Sequence, residues 1–298
     1  MASKRMLVFV TMLFCLSCSM STRGQDLSKH LVIENGSKNA GYRSKGRHGG
    51  TLWHGVRAEI TVWNISDVQP LSSSGAYIAA INKGAGLEFI AAGFHVNPSL
   101  YNGDDQKVHF FTYWTNTSDY STGCYNKDCP GFVQADGSNL YPGEPFHPPF
   151  STYGGEQRGI TIRIKKDEHT GDWSLYREDL GGPTNGMTLL GWWPTTLFKY
   201  LSEHAEIIQW TGFLSHNYNE TSPSMGSGHY SRELDGRAAS FNDCFGFDEN
   251  GYVYKESYDP DSYGARLDCY GVSEWYVTNH AARRHFFYGG PSGCSKQK

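Results

Sequence analysis

Phe110-Phe111-Thr112-Tyr113-Trp114-Thr115 leads through a polar turn into Thr122-Gly123-Cys124-Tyr125-Asn126-Lys127-Asp128-Cys129-Pro130-Gly131-Phe132-Val133-Gln134. The first six residues are aromatic or β-branched, as a half-buried strand requires. The two cysteines then enclose a turn of Asn, Lys and Asp and are followed by Pro and Gly. In an oxidising compartment that spacing predicts a short disulfide clip between strand ends. A metal site would need further Cys or His nearby, and the stretch supplies none.

The same strand grammar extends in both directions. In Arg57-Ala58-Glu59-Ile60-Thr61-Val62-Trp63 the apolar Ala58, Ile60 and Val62 alternate with polar neighbours, a period of two that predicts a strand with one face inward. Further strands are expected over 76–81, 87–96 and 108–114. Ile160, Ile162 and Ile164 alternate with Thr161, Arg163 and Lys165, and a polar turn over 167–172 leads into Trp173 and Leu175, a hairpin pattern. Leu197, Phe198, Leu201, Ala205 and Ile208 recur at helical spacing after Pro194, predicting one short helix capped by Thr195 or Thr196. Strands resume over 207–214, 238–247 and 285–288. Many short strands, Gly-rich turns and one short helix predict an all-β, antiparallel β-sandwich of a single domain.

Composition agrees: 298 residues hold 35 Gly and 19 Tyr, and charged residues make up only 19%. The formal charge of −4 and the lack of a dense Lys/Arg stripe argue against a nucleic-acid partner. Residues 1–24 place Lys4 and Arg5 before a short apolar run and small residues, the pattern of a secretory signal peptide cleaved between Cys18 and Gln25. No later apolar run approaches membrane length. The mature chain is therefore expected to be secreted and extracellular. Residues 25–52 are polar and basic and predict a solvated arm, with the domain over 53–298. Asn35, Asn64, Asn116 and Asn219 stand in N-glycosylation triplets, consistent with that route.

Five cysteines follow the cleavage region. Pairing Cys124 with Cys129, and Cys269 with Cys294, ties down the turn and the C-terminal tail. Cys244 is left as a buried free thiol in an apolar strand. Other chemistries fail on pattern. Met225-Gly226-Ser227-Gly228-His229 lacks the Gly spacing of a nucleophile elbow, and the His residues show no zinc spacing. Asp259-Pro260-Asp261 reads as a solvated loop rather than a calcium loop, and Trp192-Trp193 as core or sheet-face aromatics rather than a binding strip.

A set of words in one order resembles the neprosin domain, a plant family of secreted glutamic endopeptidases. They are Gly55 to Trp63, Ala92-Gly93-Phe94-His95-Val96-Asn97-Pro98 with Leu100-Tyr101, and the words YWT, TGCYN and CPGFVQ of the opening stretch. Gly191-Trp192-Trp193-Pro194, Met225 to His229, and Phe287-Tyr288-Gly289-Gly290-Pro291 complete the set. The resemblance implies an antiparallel β-sandwich and peptide cleavage at acidic pH, in some members after proline, by two glutamates without a metal or other cofactor. One carboxylate activates water while the other supplies a proton or hydrogen bond. The family words Ile-Glu-Ala-Gly-Trp and Trp-Gly-Gly-Glu read here as Ile90-Ala91-Ala92-Gly93-Phe94 and Trp210-Thr211-Gly212-Phe213. The two catalytic positions are thus Ala91 and Phe213, neither of which titrates.

Glu88 and Glu206 are the nearest substitutes, but each stands at an odd offset, which on a regular strand means the opposite face. Glu233 falls where the family often has a non-catalytic acid. The short polar stretch 25–52 also contrasts with the family's long activation segment. The expectation is a monomeric, catalytically degenerate member that binds polypeptide, proline-rich segments included, through groove aromatics Phe94 and Trp210. The runners-up are an acid endopeptidase using Glu88 or Glu206, and an extracellular carbohydrate-binding module.

Overall fold

The alternation in 57–63 becomes a strand because each second residue enters one core. Val56, Ala58 and Ile60 are fully buried, while Arg57 and Glu59 lie on the other face. A computed structural model of the chain describes residues 36–45, 51–101, 105–178, 186–251, 260–264, 268–278 and 284–294. Its strands are β1 (Lys38–Arg43), β2 (Trp53–Thr61), β3 (Ser73–Asn82), β4 (Glu88–Val96), β5 (His109–Thr115), β6 (Gly123–Tyr125), β7 (Val133–Gln134) and β8 (Gly159–Lys166). They continue with β9 (Trp173–Glu178), β10 (Met187–Trp193), β11 (Ile207–Ser215), β12 (Ala239–Asp248), β13 (Asp261–Tyr263), β14 (Gly271–Val272), β15 (Tyr276–Val277) and β16 (Arg284–Gly289).

Two antiparallel sheets result. One runs β13-β1-β11-β3-β4-β5-β6; the other runs β14-β16-β12-β2-β8-β9-β10-β7, with β15 also paired to β16. Between them lies a core of Ile78, Ile90, Trp210 and Leu214 from the first sheet and Ile162, Ile164, Trp173 and Phe241 from the second. The predicted sandwich is therefore the observed fold. Both predicted disulfides are formed, and Cys244 is a buried free thiol. Gly123 opens β6 at φ +107°, where a Cβ would lie 2.0 Å from the Trp114 carbonyl oxygen, so the TGCYN word requires glycine there.

Two sequence expectations are corrected. Residues 38–43, read as part of a solvated arm, form β1, which pairs with β11 along its whole length and buries Ala40 and Tyr42. Six residues with a glycine among basic neighbours carry too little alternation to announce a strand. The helix after Pro194 shrinks to a single 3-10 turn, Thr195–Leu197. The amides of Lys199, Tyr200 and Leu201 are instead taken by the Glu88 carboxylate at 2.7, 2.8 and 2.6 Å. With those donors bound sideways, an i to i−4 ladder has nothing to build on. Leu201, Ala205 and Ile208 still enter the core, which explains their helix-like spacing.

Among the described residues no helix is long and apolar enough to cross a membrane. Asn64 and Asn219 are exposed. Asn116 is half-buried, and its side-chain nitrogen donates to the Leu197 carbonyl at 2.9 Å. Asn35 lies outside the described residues.

Candidate active site on the seven-stranded sheet

Strand parity decides what faces outward from the seven-stranded sheet. On β11, Ile208, Trp210 and Leu214 point inward, so Ile207, Gln209, Thr211 and Phe213 point away from the other sheet. On β4 the inward residues are Ile90, Ala92 and Phe94, leaving Phe89, Ala91, Gly93 and His95 outside. Ala91 and Phe213 therefore share one face. They join Tyr77, Ala79, Ile81, Phe89, Phe111, Tyr113, Tyr125 and Ile207 in a second apolar cluster, separate from the inter-sheet core. Register separates the two positions along the strands. Ala91 pairs through Ala79 with Gln209, whereas Phe213 pairs through Gly75 with His95.

This parity corrects the groove assignment. Phe94 and Trp210 are 1% and 0% exposed and lie between the sheets, and the Trp210 indole donates to the Arg57 carbonyl at 2.9 Å. The aromatics of the outer-face cluster are Tyr77, Phe89, Phe111, Tyr113, Tyr125 and Phe213. Sequence alone held the signal: Phe94 lies three residues from Ala91, and Trp210 three from Phe213.

The outward positions of β11, β3, β4 and β5 carry no Asp or Glu. Glu88 falls on the inward side, 4% exposed, with its carboxylate committed to three backbone amides. Glu206 is buried and accepts the Lys83 amide at 3.3 Å. At the sheet edge Asp261 on β13 pairs with Arg43 and is exposed; Asp259 lies outside the described residues. Among the described residues no pair of carboxylates meets on this face.

Polar groups do reach the face. Gln209 donates to the Tyr77 hydroxyl at 3.0 Å, and Thr211 is hydrogen-bonded to Tyr263. Burial pushes the Tyr77 phenol up to about 12, and drives Tyr125 and Tyr263 well above the ordinary range. These hydroxyls stay neutral in any acidic or neutral medium, and those of Tyr77 and Tyr263 serve as hydrogen-bond groups.

A buried chain of rings adjoins Phe213 that sequence reasoning did not single out. His95 stacks on Phe111 at 4.4 Å, and its Nε2 lies 3.0 Å from the Tyr101 hydroxyl. Asn126 donates to that hydroxyl at 3.2 Å, and the Tyr101 ring stacks on His109 at 3.7 Å. His109 donates from Nδ1 to the Gly143 carbonyl, which directs its Nε2 toward Asp105 at 3.2 Å. Desolvation pushes the Asp105 carboxyl up, but the Lys107 amide and His109 outweigh it and hold it below its ordinary value. Only His95, His109 and Tyr101 within or near the quoted words could have signalled this chain, and none has diagnostic spacing.

The Met225 to His229 word forms a bridge and a turn. His229 Nδ1 lies 3.4 Å from Glu233 and its ring packs on Tyr153, while the Ser227 hydroxyl accepts the His229 backbone amide. Tyr153 donates to Glu233 at 2.9 Å, and the Tyr230 amide donates to its other oxygen. Glu233 thus closes a turn. Trp193 is fully buried and Trp192 half-buried, as core and sheet-face residues. Burial drives the Cys244 thiol well above its ordinary value, which makes it a poor nucleophile.

Comparison with known proteins places these features in context. The sequence model of the neprosin family matches residues 69–291. Among solved structures, scytalido-glutamic peptidase with a transition-state analogue inhibitor is similar at 13% identity, covering 85% of this chain and 98% of that one, with a TM-score of 0.43. The same peptidase with a peptide-based transition-state analogue gives 12% identity, 85% and 98% coverage, and a TM-score of 0.42. SCP-B, an eqolisin-family peptidase in complex with a tripeptide, gives 12%, 85%, 98% and 0.40.

Proposed function

The chain belongs to the neprosin family, and we propose that it is a secreted, glycosylated, monomeric member that has lost glutamic-peptidase chemistry and binds polypeptide, proline-rich segments included. The observation that carries this reading is the pair Ala91 and Phe213. Both lie on the outer face of the seven-stranded sheet, only 0% and 3% exposed, inside an apolar cluster. A methyl and a phenyl group replace the two acids that the family chemistry needs. Glu88 and Glu206 do not take their place, because the first is saturated by backbone amides on the inward side and the second is buried against Lys83.

What favours a polypeptide ligand is the make-up of this face. Tyr77, Phe111, Tyr113 and Phe213 give apolar contact, and Gln209, Thr211 and Tyr77 give hydrogen-bonding groups along adjacent strands. Aromatic-lined grooves of this kind accept extended and polyproline-type segments. Because the cluster is closed, a ligand has to displace its covering side chains, so affinity is expected to be modest.

The test is direct binding of a fluorescent proline-rich peptide to the mature protein, compared with a Tyr113→Phe variant, which keeps the buried ring and its packing and removes one hydroxyl. Saturable binding that the variant weakens supports the reading. Absence of binding, or binding indifferent to Tyr113, removes it.

A further inference from the structure

We propose that a second ligand site, for a neutral oligosaccharide, lies at the lateral edge of the sandwich, away from the Ala91 and Phe213 face. A cavity of about 900 Å³ opens there between the two sheets. Its walls come from Tyr42 on β1 and Ser262 on β13 of one sheet, and from Gly271, Val272, Ser273, Glu274 and Tyr276 around β14 and β15 of the other. Tyr230, Ser231, Arg232 and Leu234, around the 3-10 turn Ser231–Glu233, close one side. The volume is at the upper end for small-ligand pockets and leaves room for more than one sugar ring.

The floor is fixed before any ligand arrives. Tyr42 is 7% exposed, donates its hydroxyl to the Ser273 carbonyl at 2.8 Å, and packs on Trp275 and Phe286 at 5.1 and 4.9 Å. The Tyr276 ring stacks on His285 at 5.2 Å. The Arg232 guanidinium sits 4.1 Å over the Tyr230 ring, which orients this cation at the rim. Ser273 is occupied, accepting the Phe287 amide and donating to the Glu274 carbonyl. Rigid rings and spent backbone groups reduce the ordering cost of binding.

The chemistry of the rim selects the ligand class. Among the described residues its lining offers one guanidinium, Arg232, and one carboxylate, Glu274, both exposed, beside the hydroxyl residues Ser231 and Ser262. A carboxylate sharing the rim with the guanidinium disfavours a phosphorylated or polyanionic ligand. A planar donor fork and an acceptor-only carboxylate are both satisfied by vicinal hydroxyls, each of which donates and accepts. Tyrosine rings give flat apolar surfaces for the C–H faces of a pyranose. An extended peptide would want a long free strand edge, whereas β13, β14 and β15 have three, two and two residues.

The experiment is calorimetric titration of the mature protein with cellohexaose, xylohexaose and mannohexaose, and separately with a proline-rich peptide. The same titrations are run on Arg232→Ala and Glu274→Gln, whose exposed positions leave the melting temperature unchanged. The expected result is saturable binding of at least one sugar, weakened by about tenfold or more in both variants. No saturable sugar binding, or binding that both variants retain in full, overturns the proposal. Peptide binding that depends on Arg232 and Glu274 while the sugars fail to bind also overturns it, and gives the cavity to a peptide. None of these results bears on the Tyr113 test of the other face, so the two readings fail separately.

Discussion

Phe213 and His95 face each other across β3: both pair with Gly75, and their ring centroids lie 6.4 Å apart. Phe213, which we propose stands where the family carries an acid, faces a buried imidazole and the Phe111 ring. Phe213→Glu would bury a carboxylate in an apolar cluster, whose desolvation raises its pKa. A raised folded-state pKa means stability present at low pH and lost as pH rises through that value. The melting temperature of this variant should climb as pH falls through the carboxyl range, relative to the parent. A constant difference at every pH would show that the site accommodates the charge.

Glu88 is structural. Its carboxylate accepts the Lys199, Tyr200 and Leu201 amides while only 4% exposed. Glu88→Gln leaves at least one buried donor poorly satisfied, a loss of about 2 kcal/mol measurable by denaturant unfolding. Ligand binding should be unchanged. A variant of parental stability would refute the assignment.

Phe94 belongs to the core. Phe94→Ala should cost about 3–5 kcal/mol through lost transfer energy and a cavity. Loss of peptide binding at unchanged stability would return Phe94 to a binding role.

Alkaline pH should expose the buried tyrosines. Tyr77 is pushed up to about 12 by burial, above its unfolded value of about 10. The stability linked to its neutral form is complete below the unfolded value and is lost as pH rises toward about 12. Spectroscopic titration should show these phenols ionising together with unfolding. Smooth ionisation near pH 10 of every tyrosine in a folded protein would contradict the burial.

The β-sandwich was legible because its inward residues alternate so plainly in β2 and β8, and because the cysteines stand at turn and tail. The site was legible only in part. Ala91 and Phe213 do come to one face of one sheet, whereas Phe94 and Trp210 lie in the core between the sheets, the side to which their odd offsets from those positions already assign them. The helix failed because Glu88, distant in sequence, captures the amides it needs. β1 failed because pairing with β11, rather than its own pattern, makes it a strand. The Asp105, His109, Tyr101 and His95 chain depends on packing between β4, β5 and the turn after β4, which no spacing encodes.

The central claim is tested most directly by hydrolysis of a proline-containing quenched peptide by the mature protein across acidic pH, with a chelator present. The account predicts turnover no different from the buffer blank at every pH. Robust, chelator-resistant cleavage that co-purifies with the folded protein would mean that another carboxylate does the work, and would contradict it.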